Sequence, residues 1–500
     1  MKRATRTLVA AMPLLLLVGC QQQEAERMEM AAADVVMVIP VTTASDEAMQ
    51  EFMQGQHAFD VERGLDANEH FKRAIEIDPN FCMAYLSAAW SAPSLDEFRT
   101  NLQLAVEHSA GASEAERLLV EYTQKSFDRD REGQLQTAQR LVEVEPSSPR
   151  AWLTLSEIQA TLNQTSEARA SLTRALELEP EFVPAHIALV NSYLFVEPKD
   201  YSTAEEHAQR VVQAEPDETV SHDYLGDVYR AQNELEQARD AYTRAAELDP
   251  EDGLPIQQRG HVHTFLGDYD AARADYDAAI ALGKGNEKAS YGQYRAMVSV
   301  YAGEPEAAIG EFMELARAID DMDIPNAIGQ KITALTNAAV VAMEYRLFPE
   351  MDAALEQRTA LMMERMEEVG TDEFRRGQLG NIALFDGWTA AFKGDYATAL
   401  AKVEEYRGFV EQDRNPRKDE PAQLLLGMIE QLQGNHQEAL AYFEQVPPDD
   451  PYFNYQRAVA LEAVGETERA MEIYEELARY NFSNVNYALV RADAIAKVSM

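Results

Sequence analysis

Residues 225–250 read LGDVYRAQNELEQARDAYTRAAELDP. Gly226 is followed by Ala238 twelve positions on, Tyr242 four later, Ala245 three after that and Pro250 five further. A glycine inside a helix costs about 1 kcal/mol relative to alanine, so its return in phase demands a packing reason. The spacing predicts two antiparallel helices pressed close where Gly meets Ala. Gly55–Ala67–Phe71–Ala74–Pro79 repeats it in full, and Ser156–Ala168–Leu172–Ala175–Pro180 differs only in its opening Ser. Gly260–Ala272–Tyr276–Ala279, Gly387–Ala399–Val403–Tyr406 and Gly427–Ala439–Phe443–Val446–Pro451 follow with small departures. A recurrence of this kind predicts an all-α solenoid of antiparallel helix pairs that share one continuous core.

Punctuation falls where the period asks for it. Asp78-Pro79, Glu145-Pro146, Glu179-Pro180, Glu215-Pro216 and Asp249-Pro250 stop the second helix of each unit, because proline disfavours helical geometry in the residue before it. Gly267-Asp268, Gly303-Glu304, Gly394-Asp395, Gly434-Asn435 and Gly465-Glu466 separate the helices within a unit. There glycine ends the first helix and, in four of the five, an acidic residue opens the second. With these residues the chain, over roughly 48–480, resembles the tetratricopeptide repeat family. The resemblance implies a right-handed superhelix whose first helices line a concave face, and a family function of protein or peptide binding on that face.

Departures divide the chain. Residues 47–320 form the expected N-terminal array, 321–420 an atypical region of longer helices, and 421–500 the last units plus a capping helix over about Asn484 to Lys497. Two lobes meeting across the atypical middle are one expectation. Glu197 to Asp200 inserts two residues, Ser91-Ala92-Pro93-Ser94 shortens a first helix, and the unit 115–146 carries Tyr122 and Gln134 where Gly and Ala belong. The Met-rich run Leu361 to Met366 has the helical spacing of core residues.

The N-terminus carries a different signal. Lys2, Arg3 and Arg6 precede an apolar run from Leu8 to Val18, too short to span a bilayer and suited to a signal peptide over 1–19. Leu17-Val18-Gly19-Cys20 resembles the lipobox of bacterial lipoproteins, which implies cleavage before Cys20 and acylation of its sulfur and amine. Gln21 in place of Asp then implies the outer membrane, with the chain facing the periplasm. Residues 20–46 read as a flexible tether, in which the 25 residues from Gln21 to Ser45 reach at most about 80–90 Å. Cys82, the other cysteine, lies in an apolar context and reads as a buried small hydrophobe.

A net charge of −42 repels phosphate backbones and disfavours nucleic-acid binding. It serves solubility, or recruits a basic partner. The sequence contains no Gly-x-Ser-x-Gly elbow, His-Glu-x-x-His pair or phosphate-cradling glycine loop. His261 and His263, two apart on one helix, cannot chelate one metal ion, and His186 and His222 sit in equivalent places suited to packing. The reading is a non-enzymatic scaffold without cofactor or metal, anchored to a membrane and binding proteins or peptides. By family analogy the concave face presents Asp223, Tyr224, Asp227, Arg230, Gln257, Gln258, His261, Tyr291, Tyr294 and Arg295. The alternatives are an enzyme or regulatory subunit with a site in the middle region, and a small-ligand or glycan receptor using Tyr224, Tyr291 and Tyr294.

Overall fold

The computed structural model describes residues 39–499 apart from 323 and 414, and every regular element among them is helical. The signal-like segment, Cys20 and the chain up to residue 38 lie outside the described residues. Helices run in pairs: α1 (Asp46–Asp60) with α2 (Gly64–Ile77), α3 (Cys82–Trp90) with α4 (Leu95–His108), and α5 (Glu114–Phe127) with α6 (Arg131–Val144). Next come α7 (Pro149–Thr161) with α8 (Thr165–Leu178), α9 (Val183–Phe195) with α10 (Tyr201–Ala214), and α11 (Thr219–Ala231) with α12 (Leu235–Leu248). They are followed by α13 (Gly253–Leu266) with α14 (Tyr269–Leu282), α15 (Glu287–Tyr301) with α16 (Pro305–Ala318), and α17 (Ala327–Glu344) with α18 (Phe348–Val369). The last pairs are α19 (Asp372–Phe392) with α20 (Tyr396–Val410), α21 (Glu420–Gln433) with α22 (His436–Phe443), and α23 (Pro451–Val464) with α24 (Thr467–Arg479). A single helix, α25 (Val485–Val498), closes the order. The helices form two compact units, the first ending at Tyr224 and the second beginning at Leu225, within α11. The division therefore does not fall across 321–420: the long helices α17, α18 and α19 contribute to one core cluster of the second unit.

The seam differs in one detail from its sequence reading. Its alanines, Ala67, Ala168, Ala238, Ala272, Ala399 and Ala439, are all buried as expected. The glycine, however, makes room for the ring four residues beyond the alanine. A Cβ at Gly55 would stand 2.7 Å from Phe71, at Gly226 2.6 Å from Tyr242, and at Gly427 2.5 Å from Phe443. At Gly387 the corresponding residue is the smaller Val403, and Leu425 of a later first helix fills the space at 2.7 Å.

Turns behave as their chemistry dictates. Gly267 and Gly465 end their helices with φ of 80° and 92°. Where a hairpin has no glycine, Asn163 and Asn233 take φ of 59° and 64°, since asparagine tolerates the left-handed region.

In the first unit Ser45 caps α1 by accepting from the Ala48 N–H at 3.2 Å. The stretch before it is not loose. Ile39 is 4% exposed, and the Thr42 N–H and hydroxyl donate to the two carboxylate oxygens of Glu116 at 2.8 and 2.7 Å. Glu116 is fully buried and also accepts the Ser113 N–H at 2.6 Å, so a desolvated charge is offset by three donors. The end of the expected tether, from Ile39, is thus strapped onto the array. Cys82 is buried, its thiol donating to the Ala105 carbonyl at 3.3 Å, and burial pushes it up to about 11.

The first unit also turns back on itself. Val61, in the turn after α1, packs with Val183 and Ile187 of α9, Val211 of α10 and Val220 of α11. Arg150 of α7 donates both arms to Asp60, and Tyr224 donates to Glu62 at 2.9 Å.

In the second unit α25 packs on α24, as a cap does, and also lies against α15, α17 and α23. Arg491 of this helix donates to the carbonyls of Tyr480 and Phe265 at 3.1 and 3.4 Å, and its guanidinium stands 4.9 Å from the Phe265 ring centre. The expected capping helix therefore also covers inward-facing residues of earlier pairs. Met362 and Met366 are core, while Met363 faces out.

Candidate functional site

Because the first unit closes so tightly, its first helices converge on a cavity of about 390 Å³. Phe52, Gln56 and Phe59 come from α1, Met83 and Trp90 from α3, Leu119 and Tyr122 from α5. Arg150, Leu153, Thr154 and Glu157 come from α7, Phe98 from α4, and the strap adds Ile39 and Val41. First helices thus line the inner face, as the repeat pattern implies. The Phe59 and Trp90 rings lie 6.4 Å apart. The Gln56 amide donates to Asp60 at 2.9 Å and the Thr154 hydroxyl to the Arg150 carbonyl at 2.9 Å, so both are satisfied within the wall. Glu157 differs: its side chain is exposed to the open space of the cavity, although protein atoms crowd its carboxyl. Burial pushes its carboxyl up to about 7, only partly offset by the Tyr122 hydroxyl, which donates to it at 3.3 Å.

None of these residues belongs to the set expected from sequence. A signal was present in the unit 115–146, where Tyr122 occupies the position that the seam reserves for glycine. The phenol packs against Ala138 of the paired helix and Leu155 and Ile158 of the next, and it also lines the cavity, where its hydroxyl meets Glu157.

The expected residues fall into separate groups. In the first unit Tyr224 accepts from the Asn191 amide at 3.1 Å while donating to Glu62, with Asp223 half-buried beside it. In the second unit Arg230 donates to Asp227 at 2.8 Å and to Gln258 at 2.7 Å, and Tyr242 donates to Asp227 at 2.6 Å. Gln257 and Tyr276 bond the two ring nitrogens of buried His261, and the His261 ring meets Tyr294 edge-on at 4.5 Å. Burial, with the charge of Arg230, drives His261 well below the usual range, so it is a neutral imidazole. Arg230 is itself covered: the Asn481 amide donates to its carbonyl at 3.2 Å, and its guanidinium stands 5.1 Å from the Phe482 ring centre. Tyr291 is buried against Gly253 and Gly283, and Arg295 bonds Asp277 and Glu311 on second helices. The structure gathers Asp227, Arg230 and Gln258 beside Gln257, His261 and Tyr294, with the charge of Arg230 felt at His261, whereas Arg295 bonds elsewhere.

A smaller cavity of about 170 Å³ lies among α17, α19, α23 and α25, where Tyr452 donates to Glu344 at 2.5 Å. His186 and His222 each bond the carbonyl of the proline six residues before, Pro180 and Pro216, at 3.0 and 2.9 Å, which is a packing role. His57, Glu215 and Glu218 are the one metal-capable group among the described residues, their ligand atoms within 4.8 Å of one another. Arg63 stands 3.4 Å from Glu218, so an ion-pair cluster accounts for this group.

Patterns described as tetratricopeptide repeat match residues 149–182, 220–252, 256–282 and 421–447. With paired helices, buried seam and left-handed turns on the page, the chain is a tetratricopeptide repeat protein. It is 23% identical over 238 residues to anaphase-promoting complex subunit 3 of Schizosaccharomyces pombe, across 47% of this chain and 35% of that one. It is 27% identical over 145 residues to the mouse protein O-mannosyl-transferase TMTC1, across 28% of this chain and 15% of the relative. The chain thus spans well under half the length of these curated relatives. Among solved structures it resembles PilF of Pseudomonas aeruginosa, with 16% identity, 41% of this chain, 90% of that chain and a TM-score of 0.34. It also resembles YrrB, a tetratricopeptide protein with an unusual peptide-binding site, with 19% identity, 39% and 96% coverage and a TM-score of 0.29.

Proposed function

We propose that this protein is an envelope adaptor, held to a membrane by acylated Cys20 and facing the periplasm, that binds protein partners on the inner faces of its repeats. It works by binding rather than catalysis, since its conspicuous groups line a groove or pack between helices. The observation that carries the reading is the aromatic-walled cavity on which the first helices of the first unit converge, since repeats of this family serve protein recognition. The outer membrane is the membrane that Gln21 favours, and the acidity favours a basic partner.

Affinity capture from detergent-solubilised envelopes tests the adaptor. A defined set of proteins retained by the native chain and lost from a Phe59→Asp/Leu153→Asp variant is the expected result. An identical set from both, or turnover of substrate by the purified chain alone, overturns it. Fatty-acid labelling tests the anchor: Cys20→Ala loses the label, and a variant that keeps it refutes acylation at that residue.

A further inference from the structure

The carboxylates on the inner side of the first unit are almost all spoken for. Asp60 holds the Arg150 guanidinium, Glu116 holds the strap, and Glu62 receives Tyr224. Glu157 has only the long bond from Tyr122 and, among the described residues, no cationic partner. The rings of Phe52, Phe59, Trp90, Phe98 and Tyr122 line the same cavity. Aromatic faces attract a cation through their quadrupoles, and more strongly when water is excluded. An anion would meet an uncompensated carboxyl, and a neutral hydrocarbon would leave that carboxyl desolvated without return.

We propose that the cavity of the first unit is a binding site for an organic cation, an alkylammonium group whose charge meets Glu157 and whose carbon skeleton lies against Phe59, Trp90 and Tyr122. The volume, about 390 Å³, is that of a small-ligand pocket. The same chemistry is available from a free amine or from a lysine side chain of a peptide. The site stands on its own geometry and holds whether or not the protein is an adaptor.

The charge balance sets a pH dependence. The groups acting on Glu157 are the Tyr122 phenol from α5 and the wall that desolvates it. Arg150 on its own helix is neutralised by Asp60 of α1, and Arg131 of α6 acts on Tyr122. With the carboxyl titrating at about 7, the ionised, cation-binding form grows about tenfold between pH 6 and 8, and affinity follows that fraction.

Calorimetric titration of the chain beginning at Cys20 tests the site with three probes: choline, its uncharged isostere 3,3-dimethyl-1-butanol, and acetyl-Ala-Lys-Ala-amide. At least one cation is expected to bind, at least tenfold more tightly than the uncharged isostere. The Glu157→Gln variant, checked by thermal melting for an intact fold, is expected to bind it at least tenfold more weakly. Choline alone binding identifies a free amine, and the peptide alone identifies a side chain. Absence of binding by both cations, equal binding of the isostere, or undiminished affinity in Glu157→Gln overturns the proposal. A native affinity that stays flat from pH 6 to 8 does so without any variant.

Discussion

Gly226 and Gly310 are both helical glycines, and their surroundings oppose each other. A Cβ at Gly226 meets the buried ring of Tyr242 at 2.6 Å, and that ring is held by its bond to Asp227. A Cβ at Gly310 meets nothing within 4 Å. Alanine gains about 1 kcal/mol of helix preference at either place, against an overpacking cost of about 1–3 kcal/mol at Gly226 alone. Unfolding free energies from denaturant titration should therefore fall for Gly226→Ala, by up to about 2 kcal/mol, and rise for Gly310→Ala. Glu157 gives a second test at this scale. Its folded carboxyl titrates at about 7, above the ordinary 4.5, so between those values the folded state holds a proton that the unfolded state has released. Stability then falls as pH rises through this window. Glu157→Gln removes the dependence, and its advantage over the native chain should grow from pH 4.5 to 7 and level off above. The periodicity made the glycine positions legible, but not the atoms that the missing Cβ would strike. Spacing places residues on a helix face, whereas contact needs the rotamer of a ring on the facing helix.

Two elements show where local signals stop. The amphipathic stretch 484–497 announced a helix with one face to bury, and α25 is that helix. Its apolar side meets α15 and α17 as well as its neighbour α24, a destination no periodicity encodes. Arg491 is almost buried there and bonds the carbonyls of Tyr480 and Phe265. Arg491→Ala should destabilise the second unit by about 1.5–3 kcal/mol, the worth of charged hydrogen bonds, and speed amide exchange in α25. The strap is the other case. Residues 39–45 lack helical period, so the sequence reads as tether, yet Thr42 finds Glu116, seventy-four positions away, through a fold that brings them together. Glu116→Ala leaves the Thr42 N–H without its acceptor, at about 1–3 kcal/mol, and should expose the segment before α1 to proteolysis. Cleavage there at the native rate would refute that role for the carboxylate.

For the whole molecule, charge is the controlling quantity. A net charge of −42 repels itself, and most of its ion pairs lie on the surface, where each contributes about 0–1 kcal/mol. Salt at 0.1 M shortens the reach of charge to about 10 Å, which weakens the summed repulsion more than it weakens close pairs. Thermal midpoints should therefore rise from 10 to 500 mM sodium chloride, and a fall would mean that attractive pairs dominate. The sequence alone determined the helix pairs, their turns and the buried alanine seam, because these arise from neighbours within a few dozen residues and from the steric rules of glycine and proline. Tertiary structure alone decided the division at Tyr224, the docking of α25 and the cavity around Glu157. Those depend on how small rotations between successive pairs add up, and it is that sum, rather than any motif, that brings Asp60 to Arg150 and shapes the cavity that Glu157 lines.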